Sequence, residues 1–238
     1  MTLVFVHGFL GGSQQWNAQV DALREFDVIT VDLPGFGANA DQEPLYAIED
    51  YAEWVLVELA DRGIEQFHLL GHSMGGMIAQ EMVARAPQRV DRLILYGTGS
   101  TGQLPGRFET IDVSKDRART EGPRATARRI AATWFLHQSE AKEYEACAAI
   151  AEQSGLHAIL AGLDAMCRWN GAANLDRIET RTLLIWGDRD RTYPWAQTEL
   201  LWHNIKHASL AVIPDCSHAV HMEQPALFNA MVRDFVTH

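Results

Sequence analysis

Short apolar, β-branched runs alternate along this chain with longer segments whose apolar residues recur at helical spacing. Six runs bounded by turn residues read as buried strands: residues 3–6, 28–32, 67–70, 93–96, 182–186 and 210–213. Residues 14–24, 47–62, 74–85, 195–203 and 224–236 read as amphipathic helices between and after them. Such alternation predicts an α/β chain: a mostly parallel sheet flanked by helices on both faces and joined by right-handed crossovers. The pattern breaks once. Between Tyr96 and Thr182 no strand is predicted, and residues 123–169 read as two or three helices. The expected division is therefore a core of residues 1–98 and 176–238, with residues 99–175 inserted as a helical cap. In open parallel sheets ligands bind beyond the carboxyl ends of the strands, the side from which this insertion departs.

Composition narrows the partners. With 47% hydrophobic and 21% charged residues, the 238-residue chain matches an ordinary globular domain. A formal net charge of −11 disfavours nucleic acid and anionic membrane surfaces, because both would repel it. Locally the sign reverses at residues 114–129, where Lys115, Arg117, Arg119, Arg124, Arg128 and Arg129 outnumber Asp116 and Glu121. A solvated helical face is the preferred reading of that stretch over a patch that draws in an anionic substrate. Cys147, Cys167 and Cys216 are too few and too odd in number for a disulfide framework, which suggests free thiols. No basic leader or membrane-length apolar run is present, so the cytoplasm is the expected location.

The candidate chemistry centres on Gly71-His72-Ser73-Met74-Gly75. A strand precedes this pentapeptide and a helix follows it, which is the setting of a nucleophile elbow: a sharp turn that exposes the serine hydroxyl. A serine needs a base. Of the ten histidines, His218 lies in the loop after the last predicted strand, on the same side of the sheet as Ser73. His137, His157, His203 and His207 read as surface or boundary residues, and His221 as opening the final helix. His203 and His207 are four apart on a predicted helix, yet the His-Glu-x-x-His pattern and a third ligand are missing, so no metal site is expected. The acid that orients the base is sought after the strand at 182–186, where Asp188 and Asp190 compete. Asp190 sits nearer the loop tip and is preferred, leaving Asp188 to cap the turn or pair with an arginine. His7-Gly8-Phe9-Leu10-Gly11-Gly12 follows the first strand and is expected to present the Phe9 amide beside that of Met74 as an oxyanion hole. A lost donor in such a hole typically costs about 2.7–4 kcal/mol of transition-state stabilisation.

With these segments in place, the chain resembles the α/β-hydrolase superfamily over nearly its whole length. The matching pieces are His7-Gly8-Phe9, Asp32-Leu33-Pro34-Gly35-Phe36-Gly37, Gly71-His72-Ser73-Met74-Gly75-Gly76, residues 187–190 with Pro194, and Ser217-His218 with Glu223-Gln224-Pro225. The resemblance implies the α/β-hydrolase fold and a serine triad whose acid falls at Asp190. Superfamily members usually carry two antiparallel strands ahead of the first parallel one. Here Leu3 opens that strand almost at once, and the exposed edge is expected to favour pairing into a homodimer.

Residues 120–135 and 144–149 look somewhat like the cap of oxoadipate enol-lactonases, with Trp134, Phe135, Met166 and Trp169 as pocket candidates, although such residues at helical spacing also build cores. Meta-cleavage-product hydrolases commonly have Asn where His72 stands. Haloalkane dehalogenases and epoxide hydrolases use an aspartate nucleophile where this chain has Ser73. The expected function is a cofactor-free serine hydrolase of small carboxylic esters or lactones. Ser73 is its nucleophile, His218 its base and Asp190 its acid, with Phe9 and Met74 at the oxyanion and Trp134 at the substrate. Carbon–carbon hydrolysis or a lyase reaction on a small acidic substrate is one alternative, and a ligand-binding receptor of the same fold is another.

Overall fold

The computed structural model describes residues 1–104 and 108–238; residues 105–107 of the expected cap lie outside the described residues. Six strands form one sheet: β1 (Thr2–Val6), β2 (Asp27–Thr30), β3 (Phe67–His72), β4 (Val90–Tyr96), β5 (Arg181–Gly187) and β6 (Ala208–Ile213). They pair in the order β2-β1-β3-β4-β5-β6, and every pairing is parallel. All six strands predicted from apolar runs are present, most a residue or two longer than the runs themselves.

Successive strand residues point to opposite faces, and in the inner strands β1, β3, β4 and β5 both faces are largely buried, which is why they read as continuous apolar runs, while the edge strands β2 and β6 are only partly covered. Leu3 and Phe5 of β1 join Leu70, Ile94 and Tyr96 in a core beneath helices α1 (Asn17–Ala22) and α10 (Pro225–Thr237). Val4, Val6 and Leu69 face the other way, into the core shared with α2 (Ile48–Asp61), α3 (Met74–Arg85) and α8 (Trp195–Asn204).

Four helices leave the sheet between β4 and β5: α4 (Ile111–Thr120), α5 (Pro123–Ala132), α6 (Tyr144–Ala151) and α7 (Leu156–Arg168). The excursion holds α5, α6 and α7 within residues 123–169, where two or three helices are expected, with α4 ahead of them. It begins at Thr110, whose hydroxyl caps α4 by accepting the Val113 amide, and breaks at Gly122 before Pro123 opens α5. Two expectations shift. The helix predicted over residues 14–24 is a 3₁₀ turn, Ser13–Trp16, followed by the six-residue α1, because the Gly12 carbonyl bonds the Gln15 amide in a tighter repeat. His221 does not open the last helix. It sits in a separate short helix, α9 (Val220–Glu223), ahead of the proline that starts α10. Among the described residues, no single helix is long and apolar enough to cross a membrane.

Candidate active site

β3 delivers its chain end to Ser73, which adopts φ 57° and ψ −119° before α3 begins at Met74. A serine in this left-handed region is strained by roughly 1–3 kcal/mol, a cost the surrounding contacts must hold in place. The Ser73 amide donates to the Tyr96 carbonyl at 3.0 Å, extending the β3–β4 ladder one residue past the strand. On the other side, the loop after β1 passes so close that a Cβ on Gly8 would stand 2.8 Å from the Ser73 Cβ. The elbow is thus clamped between the ends of β1 and β4.

The loop after β5 carries Asp190. Its Oδ1 accepts the amides of Thr192 at 2.7 Å and Tyr193 at 3.0 Å, which leaves Oδ2 to face Nδ1 of His218 at 2.9 Å. Both side chains of this pair are 1% exposed. Because Nδ1–H donates to the carboxylate, Nε2 of the neutral ring keeps a free lone pair, the state a general base requires. The imidazole is further held by Tyr193, stacked at 5.6 Å and 18°, and by Gly97, where a Cβ would lie 3.1 Å from Nδ1. Asp188 points elsewhere, 3.7 Å from Arg189, in keeping with its expected pairing to an arginine. The Ser73 hydroxyl makes no hydrogen bond to His218 among the described residues.

His7 fixes the loop that carries Phe9. Its Nδ1–H donates to the Gly8 carbonyl at 2.7 Å, and its Nε2 accepts the Leu33 amide at 3.0 Å, so one neutral tautomer satisfies both bonds. Burial holds its pKa below the usual histidine value, which preserves that tautomer. Asp32 steadies the same loop by accepting the Ser13 amide at 2.8 Å. The backbone amides of Phe9 and Met74 donate to no protein acceptor among the described residues.

A cleft of about 440 Å³, its open mouth included, is lined by Ser73 together with Phe9, Leu104, Phe108, Ile130, Trp134 and Met166. None of its described lining residues carries a charge. Trp134 stands in the wall, 6.3 Å from the His218 ring. Phe135 and Trp169, also expected as pocket candidates, are not there: Phe135 is fully buried in the core, and the Trp169 indole donates to Glu81 on α3 at 2.8 Å. Tyr193, Leu104 and Phe108 were not anticipated, since nothing local marks a loop residue as cleft-lining.

The basic stretch 114–129 is neutralised within the cap. Arg124 and Arg128 pair with Glu152, Arg129 with Glu109, Arg119 with Asp116, Arg117 with Glu109 and Glu121, and Lys115 with Asp164. It is a salt-bridged helical surface. His207 lies beyond the end of α8, so it does not share a helix with His203, and no group of three or more potential ligands is placed to hold a metal among the described residues.

The model of the alpha/beta hydrolase fold family matches residues 2–225, and the chain belongs to that family. Over 251 residues the chain is 30% identical to a pimeloyl-(acyl-carrier protein) methyl ester esterase of Aromatoleum aromaticum, covering 98% of this chain and 97% of that protein. It is 28% identical over 241 residues to a protein of Pseudomonas savastanoi pv. phaseolicola provisionally named carbamate hydrolase RutD, covering 98% and 93% of the two chains. Among solved structures it is similar to the enol-lactonase of Burkholderia xenovorans LB400, with a TM-score of 0.89 and 25% identity over 100% of this chain and 91% of that one. The family and these relatives make it a hydrolase; they differ from one another in the bond they cut.

Proposed function

We propose that this protein is a serine hydrolase of small carboxylic esters or lactones whose acyl part is uncharged and apolar. The observation that carries the reading is the buried His218–Asp190 pair at 2.9 Å, set on loops at the same strand ends as the strained Ser73 elbow. Ser73 Oγ attacks the substrate carbonyl carbon while His218 Nε2 takes its proton. Asp190 holds the ring and stabilises the imidazolium that forms. The Phe9 and Met74 amides donate to the oxygen as it becomes negative. Collapse of the tetrahedral intermediate expels the alcohol, which receives its proton from His218, and water, activated by the same base, resolves the acyl-enzyme. Every proton is returned, and no cofactor enters the balance.

The described lining of the cleft, apolar around Trp134 and Met166, supports an apolar acyl chain over a small acidic substrate. The enclosed part of the cleft is only about 30 Å³, which favours a short chain. Hydrolysis of p-nitrophenyl esters from acetate to long acyl chains, with Ser73→Ala as the blank, tests the reading. A Ser73-dependent rate that peaks at short chains is expected. Turnover that persists unchanged in Ser73→Ala overturns the mechanism, and activity confined to substrates bearing a free carboxylate overturns the substrate class.

A further inference from the structure

Beneath His218 lies a buried polar cluster that the triad chemistry does not use: His72, Tyr96 and His221, exposed by 4%, 0% and 1% respectively. Tyr96, the last residue of β4, is bonded to both sides of the site. Its carbonyl accepts the Ser73 amide at 3.0 Å, and its hydroxyl lies 2.6 Å from the His218 carbonyl. A carbonyl can only accept, so the phenolic hydrogen must point there. The phenolic oxygen then accepts the His221 amide at 3.2 Å and the His221 ring at Nδ1 at 3.1 Å, which places that proton on Nδ1. His72 contributes a second, longer bond from Nε2 to the same His218 carbonyl, at 3.3 Å, and its ring stacks on Tyr96 with centroids 4.4 Å apart and planes 20° apart.

We infer that Tyr96 is a positioning residue that sets the separation between Ser73 and His218. One residue holds the backbone of the nucleophile with its carbonyl and the backbone of the base with its hydroxyl. The separation is therefore gauged by the length of a single rigid side chain and not by two independent loops. His72, adjacent to Ser73, reinforces the same carbonyl from the other strand. Burial raises the Tyr96 pKa and lowers those of His72 and His221, so the cluster keeps this proton arrangement through neutral pH. The inference rests on the reading of Ser73 and His218 as nucleophile and base.

Tyr96→Phe removes only the hydroxyl and keeps the stacked ring. Two readouts separate positioning from simple stabilisation: the rate at which a fluorophosphonate labels Ser73, and the split between kcat and KM on p-nitrophenyl acetate. A displacement of reacting groups by a fraction of an ångström to about 1 Å predicts a fall of about ten- to a hundred-fold in labelling rate and kcat, with KM within about twofold. The control is Tyr51→Phe, which deletes another fully buried hydroxyl, bonded to Leu45 and Pro34 away from the cleft, and is expected to leave both rates unchanged. Equal rates in Tyr96→Phe and wild type, or a loss matched by Tyr51→Phe, overturn the inference while leaving the proposed function intact. If Tyr96→Phe does not fold, His72→Phe decides: a smaller fall of the same kind supports the gauge, and an unchanged labelling rate overturns it. A wild-type protein whose Ser73 neither labels nor supports turnover overturns both readings together.

Discussion

Glu223, in the short helix ahead of α10, accepts the amide hydrogen of Leu136, a residue of the cap, at 2.6 Å. The other carboxylate oxygen accepts the amide of Ser217, the residue before His218, at 2.7 Å. A third bond joins the same two segments, from the Ala219 amide to the Trp134 carbonyl at 2.9 Å. The cap segment that contributes Trp134 to the cleft is therefore fastened directly to the loop that carries the proposed base. The cleft wall at Trp134 and the loop of the proposed base are one mechanical unit, with Glu223 as its rivet.

Removing that rivet strands two backbone donors. Hydrogen bonds to a charged acceptor contribute about 1.5–3 kcal/mol each, so Glu223→Ala is expected to lower unfolding free energy by about 3 kcal/mol or more. Glu223→Gln keeps one acceptor and should lose roughly half as much. Urea unfolding of the two variants checks the ranking, and kcat on a short ester should fall in the same order. A Glu223→Ala protein as stable as wild type would remove the carboxylate from this role.

Asp190 offers a sharper separation of chemistry from stability. Its Oδ1 is committed to the Thr192 and Tyr193 amides, so in Asp190→Asn the amide oxygen keeps those bonds and the NH₂ turns toward His218. A donor facing Nδ1 forces the ring proton onto Nε2, and the base can no longer accept the Ser73 proton. The expected loss in kcat is about 10⁴-fold, the size of the same substitution in a protease triad, with thermal stability little changed. Steady-state kinetics beside a melting curve measures both quantities. Retention of more than a tenth of wild-type kcat would sink the assignment of Asp190 as the acid.

Much of this architecture is legible in the chain because its determinants are local. A parallel strand buried on both faces is a short apolar run, and the residues after it fall by topology at the sheet's carboxyl end. The loop addresses of Ser73, Asp190 and His218 follow from that alone. What local pattern cannot carry is contact across long sequence separation. His221 looks like a helix-opening residue, yet it is buried against Trp16 with ring centroids 4.4 Å apart, a partner more than two hundred residues away. Trp169 looks like a cleft residue until its indole is seen to donate to Glu81. The bonds Glu223 makes to Leu136 and Ser217 are made to backbone, which leaves no mark on the identity of the partner.

The buried histidines also predict how stability responds to acid. His7, His72 and His221 are fully buried, and desolvation is the largest cause lowering each pKa, in His221 to about 3. In the unfolded chain these rings return to the ordinary histidine value of about 6.5. Below that pH the unfolded state binds protons that the folded state refuses, so acid favours unfolding. Stability is therefore complete above about pH 6.5 and is lost as pH falls below it, continuing for His221 toward about 3. For His221, whose folded value is about 3, the slope is about 1.4 kcal/mol per pH unit once its unfolded form is protonated, and His7 and His72 add to it in the same direction. The loss should be well under way by pH 5, before carboxylates near their ordinary values take up protons. Urea midpoints at pH 7, 6 and 5 measure it, and a midpoint that stays level across that range would mean that the cluster beneath His218 is open to water or already charged in the folded protein.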